Sequence, residues 1–177
     1  MGQQNVPGHG PSRPAVQGNL FEPLRERDQP VEPAQLCAHE RRRFYDRLVE
    51  EMKQIHQLTI RKWRRRMSGV AYELHYSNGD VKRMIAAPRP RSPVSASIFL
   101  HEVGHHAIGF RKFRPRCLEE YQVWQWTFHQ MRRHGIPMDW RVQRHYRRSM
   151  YHYVRKAFRR GLKSLPPVLE EFRSWPG

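Results

Sequence analysis

The sequence has few cysteines and no long apolar run. Among its 177 residues are two cysteines, Cys37 and Cys117, too few for the disulfide framework of a small secreted domain. No run approaches the roughly 18 apolar residues that a membrane-spanning helix needs, and the first residues lack the apolar segment of a secretory signal. These absences predict a cytoplasmic protein without a membrane span, and the two cysteines are most simply buried thiols.

Acidic residues are also scarce relative to basic ones. Lys and Arg number 33 and Asp and Glu 16, which gives a formal net charge of +17. The excess lies in segment 36–68, with ten bases and four acids, and in segment 129–177, with twelve bases and three acids. This charge indicates contact with nucleic acid or another polyanion, and the solvated faces of two amphipathic helices would give the same pattern.

Composition divides the chain into three parts. Residues 1–35 are rich in Gly, Pro and Gln and have no apolar periodicity, which is typical of a disordered tail. Residues 36–165 are expected to form a single domain with basic flanking helices, and residues 166–177 a C-terminal tail.

The apolar pattern predicts an α+β fold that is mostly helical. Its helices are expected at about 36–66, 92–109, 117–134 and 139–160. Strands at 70–76 and 81–87, joined by the turn signal Asn78-Gly79, predict a small β-hairpin that packs on the second of these helices. The strand 81–87 is either an edge on which an extended peptide lies or a strand that only packs on the helices.

The residues His101-Glu102-Val103-Gly104-His105 lie in the second predicted helix. Two histidines four positions apart share one face of a helix, so both imidazoles can bind one metal ion. Glu102 points toward the same site without being placed as a ligand, and it can act as the general base on a metal-activated water. Gly104 is expected to let this helix pack closely on the hairpin. The alternative is a helix with incidental surface histidines.

A catalytic zinc site needs a third protein ligand and one open position. The following helix offers two adjacent acids, Glu119 and Glu120, and a helical step of about 100° prevents both from facing one ion. Glu120 lies on the apolar stripe of that helix and is favoured, whereas Glu119 lies toward a more polar, solvent-facing side. The expected ligands are therefore His101, His105 and Glu120.

The motif HEVGH followed by Glu120-Tyr121-Gln122-Val123-Trp124 resembles the gluzincin metallopeptidases, whose third zinc ligand is a Glu on a following helix. The layout is similar to that of the small ImmA/IrrE-like peptidases. The resemblance implies a minimal zincin core within 36–165, a bound Zn²⁺ and hydrolysis of a peptide or protein substrate. Gluzincins often carry an acid or amide where Trp124 stands, and that residue orients a zinc-binding histidine.

Several other residues remain candidates. Peptide hydrolysis requires a group that stabilises the oxyanion, and the sequence does not choose among Tyr121, His129, His145 and Tyr146. His106 is expected to bond a backbone carbonyl or to be exposed. The competing hypothesis is a basic nucleic-acid-binding module with a structural or vestigial zinc, non-specific because no zinc-finger, homeodomain or RNP motif is present.

Overall fold

The computed structural model describes residues 33–174, so the predicted disordered tail lies almost entirely outside the described residues. The helices are α1 (Ala38–His56), α2 (Pro93–Ile108), α3 (Arg116–Arg133) and α4 (Trp140–Arg159). The strands are β1 (Leu58–Trp63), β2 (Val70–His75) and β3 (Val81–Ala87). Short 3₁₀ helices lie at Pro33–Gln35 and Pro167–Phe172. This mostly helical α+β architecture confirms the predicted fold class, and no helix in the described range has the length and apolarity to cross a membrane.

The first helix is shorter than predicted. It ends at His56, and Gln57 adopts a left-handed conformation with a φ of 53°. Residues 58–63, expected to continue the helix, form β1 instead. Ile55, which lies in the apolar spacing that predicts the helix at 36–66, is 56% exposed. The buried residues of α1 are Tyr45, Leu48, Val49 and Met52.

The three strands form one mixed sheet in the order β1-β3-β2. β2 and β3 form the predicted antiparallel hairpin, and β1 pairs parallel with β3. Because β3 is the central strand, the prediction that it offers a free edge to a peptide is wrong. The sheet packs on α2, and Ile85 and Ala87 of β3 are fully buried in that contact layer.

The central helix α2 is buried at every position from Ser95 to His106. Ser92 caps it by accepting a hydrogen bond from the backbone of Ser95, and a proline follows in the first turn, which is the predicted start. A Cβ at Gly104 would lie 2.9 Å from Trp126 and 3.0 Å from Val123. Gly104 therefore permits the close approach of α2 and α3, and not that of α2 and the hairpin as predicted.

A second hydrophobic cluster joins α3, α4 and the C-terminal segment. Its buried members are Cys117, Trp124, Met150, Val154, Leu165, Leu169 and Phe172. The stretch 167–172, assigned from sequence to a tail, is thus a 3₁₀ helix anchored by fully buried Leu169. Cys117 is buried as expected, but Cys37 is exposed at the start of α1.

Candidate metal centre and its cleft

Helices α2 and α3 bring His101, His105 and Glu120 together. The ligand atoms of the three side chains lie within 4.8 Å of one another, and within the described part of the chain this is the one such group of His, Cys, Asp and Glu. The Nε2 atoms of His101 and His105 are 3.1 and 3.6 Å from Oε2 of Glu120. Ligand atoms about 2.1 Å from a tetrahedral ion are separated by about 3.4 Å. These two distances therefore fit a shared metal ion.

Burial and neighbouring groups together determine the protonation states of His105 and Glu120. Burial lowers the pKa of His105 to about 3, with neighbouring His101 adding to the effect, so the ring is neutral and can present a lone pair to a metal. Burial opposes the ionisation of Glu120, but the hydrogen bond from His101 and the electrostatic interactions with the two histidines and Arg116 outweigh it and lower the pKa of that carboxyl. A neutral imidazole and an ionised carboxylate are the states that bind metal.

Arg116 holds the two adjacent acids of α3. Its guanidinium donates to Oε1 of Glu120 over 2.9 Å and to Oε1 of Glu119 over 2.6 Å. Glu119 is fully buried, so the expectation that it faces solvent is wrong, and it lies outside the ligand cluster. Because Arg116 engages one oxygen of Glu120, the other oxygen is left facing the histidines.

Aromatic rings support the two histidines. Their Nδ1 atoms are buried and have no hydrogen-bond partner among the described residues. Trp124 lies against His101 with ring centroids 4.6 Å apart, and Phe110 stacks on His105 at 5.9 Å. A metal-binding histidine usually donates its second ring N–H to a carboxylate or carbonyl. Among the described residues His101 has no such partner, and Trp124 packs against its ring instead.

Glu102 lies beside the cluster and beneath the segment that precedes β2. A Cβ at Gly69 would overlap Cγ and Oε1 of Glu102, so this approach requires glycine. Burial and, to a smaller extent, the charge of Glu120 raise the pKa of Glu102 against the opposing charges of Arg64 and Arg116, and the net result is a pKa of about 8. A carboxyl with a pKa near neutrality can both accept and return a proton.

An open cleft of about 440 Å³ leads to His101 and Glu102. Segment 67–69 forms one wall, and α4 forms the opposite wall. The side chains of α4 that line the cleft are His145, Arg148, Ser149, His152 and Tyr153. The cleft gives a substrate access to Glu102 and one edge of the cluster.

The four residues that are candidates for stabilising the oxyanion differ in whether they line the cleft. His145 lines the cleft, and burial lowers the pKa of its ring. Tyr121 and Tyr146 pack against the second hydrophobic cluster, and His129 is not among the residues that line the cleft. Of the four, His145 is therefore the one placed to meet a substrate.

Tyr153 is a site residue that sequence reasoning missed. It lines the cleft, and its hydroxyl lies close enough to Glu120 and Glu102 to be influenced by their charges. Burial raises its pKa, as do the charges of Glu120 and Glu102, so the hydroxyl keeps its proton and remains a donor. In the sequence Tyr153 is one more aromatic residue on the apolar side of α4, and only the packing of α4 on α3 reveals its place.

His106 is turned away from the cluster. Its Nε2 atom is 3.1 Å from the backbone oxygen of Met84 in β3, which is the carbonyl partner expected from sequence. Nδ1 is 3.9 Å from a carboxylate oxygen of Glu73 in β2. His106 therefore ties α2 to the sheet and is not a ligand.

Known proteins supply no function for this chain, so its function has to be inferred from the geometry of the site. No protein-family model, no curated protein and no solved structure matches the chain.

Proposed function

We propose that this protein is a zinc-dependent peptidase of minimal gluzincin type, in which His101, His105 and Glu120 hold Zn²⁺. The observation that carries the proposal is the buried His-His-Glu cluster, with ligand atoms within 4.8 Å of one another, next to Glu102 in an open cleft. When bound, zinc would act as a Lewis acid and lower the pKa of a water to about 7.

Glu102 carries out the two proton transfers of the proposed hydrolysis. Its carboxylate takes a proton from the water whose oxygen adds to the peptide carbonyl carbon. The protonated carboxyl then gives that proton to the leaving nitrogen as the C–N bond breaks. The buried setting that raises the pKa of Glu102 supports both roles, because the acid and base forms are then close in free energy near neutral pH.

Two side chains of α4 are suited to stabilise the carbonyl oxygen. Tyr153 and His145 line the cleft opposite segment 67–69, and each can present a donor to the negative charge that develops on that oxygen.

Metal analysis of the purified full chain tests the ligand set. We expect about one zinc ion per chain in the wild type and in Glu119→Gln, and about tenfold less in His101→Ala and Glu120→Gln. Glu119→Gln is the matched control, because it makes the same chemical change at the adjacent buried acid. Equal zinc in all four proteins would reject the metal site.

Hydrolysis of a protein substrate such as casein tests the role of Glu102. The Glu102→Gln variant should retain zinc and lose at least about 100-fold in rate, since it cannot accept the proton. Undiminished hydrolysis by that variant would remove Glu102 from the mechanism. Zinc binding without any hydrolysis by the wild type would leave the site as a structural one.

A further inference from the structure

The two basic segments of the chain border the same cleft. Residues 61–66, Arg-Lys-Trp-Arg-Arg-Arg, lead directly into segment 67–69, which forms one wall. They also line an adjoining depression of about 750 Å³. The opposite wall is α4, which contributes Arg148 and His152. The fold thus places cationic side chains, far apart in sequence, on both rims of the cleft.

The solvent face of α4 carries a continuous basic row. At about 100° and 1.5 Å per residue, its members fall within an arc of about 80° and extend over about 27 Å. They are Arg141, Arg144, Arg148, His152, Arg155 and Arg159. The row lies opposite the buried residues of the helix, which are Val142, Met150 and Val154. We call these six residues the α4 row.

The α4 row has no acidic partner. The helix contains no Asp or Glu from Trp140 to Arg159, and none of its arginines forms a salt bridge within residues 33–174. Arg64, Arg65 and Arg66 on the other rim are likewise without a salt bridge to any described residue. The planar guanidinium binds phosphate oxygens in pairs and is less strongly hydrated than an ammonium. Unneutralised arginines on both rims therefore fit a polyanion.

The aromatic residues beside the α4 row indicate which class of polyanion this surface binds. Trp140 is 63% exposed, and the guanidinium of Arg141 lies 5.4 Å from its ring centroid. Tyr151 flanks the row in the same way, with the guanidinium of Arg155 5.6 Å from its ring centroid. An acidic peptide offers carboxylates alone, whereas a single-stranded nucleic acid also offers bases that stack on aromatic rings.

We infer that the α4 row and residues 61–66 bind the phosphate backbone of a single-stranded nucleic acid that lies across the mouth of the cleft. The contacts are to phosphates and base faces, so binding is independent of sequence and similar for DNA and RNA. Arg148 and His152 belong to both the row and the cleft wall, so a bound strand and a peptide substrate exclude each other. The inference rests on the rims and not on the proposed hydrolysis.

Fluorescence anisotropy of the full chain with a fluorescein-labelled oligothymidylate of about 12 nucleotides tests the inference. The double variant Arg144→Glu and Arg155→Glu should bind at least about tenfold more weakly and flatten the slope of log affinity against log salt by about 1.4. The matched control is Arg43→Glu and Arg47→Glu on α1, two exposed arginines, with the same change in net charge. An equal loss in the control, or no wild-type binding at low salt, would overturn the inference.

Two further arms test the ligand class and the place of the strand. Oligouridylate should compete for binding as well as oligothymidylate does, and a polyglutamate of equal charge should compete much less well. Equal competition by polyglutamate would show that the surface binds acidic proteins instead. Bound oligothymidylate should protect His152 from acylation by diethylpyrocarbonate, read out by peptide mass spectrometry, while His39, exposed on α1, reacts as before. Unprotected His152 in the saturated complex would show that the strand does not cover the cleft.

Discussion

The backbone of Gly69 passes over the side chain of Glu102 more closely than any residue with a Cβ would permit. Segment 67–69 is thus both a wall of the cleft and the surface that fixes the carboxyl proposed to move the proton. Because Glu102 is buried, it has no room to turn aside. The position of the wall and that of the carboxyl are therefore set by one contact.

Replacing Gly69 by alanine should separate hydrolysis from metal binding. The new methyl group must displace either segment 67–69 or Glu102, and displacements of about 1 Å at a reacting group cost on the order of 100-fold in rate. Zinc content should be unchanged, because the atoms nearest to the added methyl group belong to Glu102, which is not one of the three proposed ligands. Ser77→Ala, at an exposed position in the turn of the hairpin, is the control and should keep its activity. Full activity of Gly69→Ala would show that this contact does not position Glu102.

Gly104→Ala should destabilise the protein although alanine favours a helix. The helix gains about 1 kcal/mol of propensity, but a Cβ 2.9 Å from Trp126 and 3.0 Å from Val123 forces α2 and α3 apart, and overpacking of this kind costs about 1–3 kcal/mol. Urea unfolding measures the sum. Val123→Ala makes room for the added methyl group, so the two substitutions together should show a favourable coupling of at least about 0.5 kcal/mol. Simple additivity would show that this contact does not limit the helix spacing.

Arg116→Ala should weaken both folding and metal binding. It leaves Glu119 and Glu120 buried without their cation and frees the Glu120 oxygen that Arg116 holds. Loss of such a partner of a ligand typically lowers metal affinity about 10- to 100-fold. Competition with a chromophoric chelator measures the zinc affinity, and Arg132→Ala, at an exposed position of the same helix, is the control.

A second substitution distinguishes charge from geometry at this position. Adding Glu119→Gln to Arg116→Ala removes one unpaired buried charge, so it should restore part of the stability while zinc affinity stays low. If the double variant regained full zinc affinity, Arg116 would act by neutralising Glu119 and not by orienting Glu120.

Acid should destabilise the metal-free protein. Burial lowers the pKa of His56, assisted by Arg83 and His106, and burial lowers the pKa of His134 against the opposing charge of Glu51. Below the ordinary histidine pKa of 6.5, the unfolded chain therefore binds protons that the folded chain does not. The contribution of these two histidines to the free energy of unfolding should be fully retained above that pH and should fall as pH decreases through and below it, whereas the raised pKa of Glu102 contributes in the opposite direction.

Thermal unfolding in EDTA between pH 7.5 and 5.5 measures this dependence without a contribution from metal release. His56→Phe, which keeps a ring against Trp126, should show a shallower fall than the wild type, and His39→Gln, at an exposed position, should match the wild type. An equal pH dependence in His56→Phe and in the wild type would contradict the assignment to His56, and the comparison of the two proteins cancels the opposite contribution of Glu102.

Local signals in the sequence identified α2 and the hairpin, whereas the element that depends on distant pairing was missed. Ser92 and Pro93 mark the start of α2 chemically, so its position could be predicted to within a residue. No Gly or Pro separates α1 from β1, and the apolar spacing continues through Gln57. β1 exists because β3, more than twenty residues later, offers it a parallel partner. Helical periodicity carries no information about that partner.

The same limit applies to the site. Four residues apart on one helix, His101 and His105 could be grouped from spacing alone, and the apolar stripe of α3 favoured Glu120, which the structure places with them. The burial of Glu119 could not be predicted, because it depends on Arg116 covering that face. The packing of α4 that brings Tyr153 to the cleft could not be predicted from the sequence either.

The second hydrophobic cluster meets the candidate metal site through one indole. Trp124 belongs to the cluster built with Leu169 and Phe172, and its other face lies 4.6 Å from the ring of His101. The 3₁₀ helix at 167–172 is therefore connected to the candidate metal site through Trp124 without lining that site. Trimming the chain before that helix would loosen Trp124 and, through it, the orientation of His101. Through Trp124, residues 167–172 thus help to hold the ring of His101 in place.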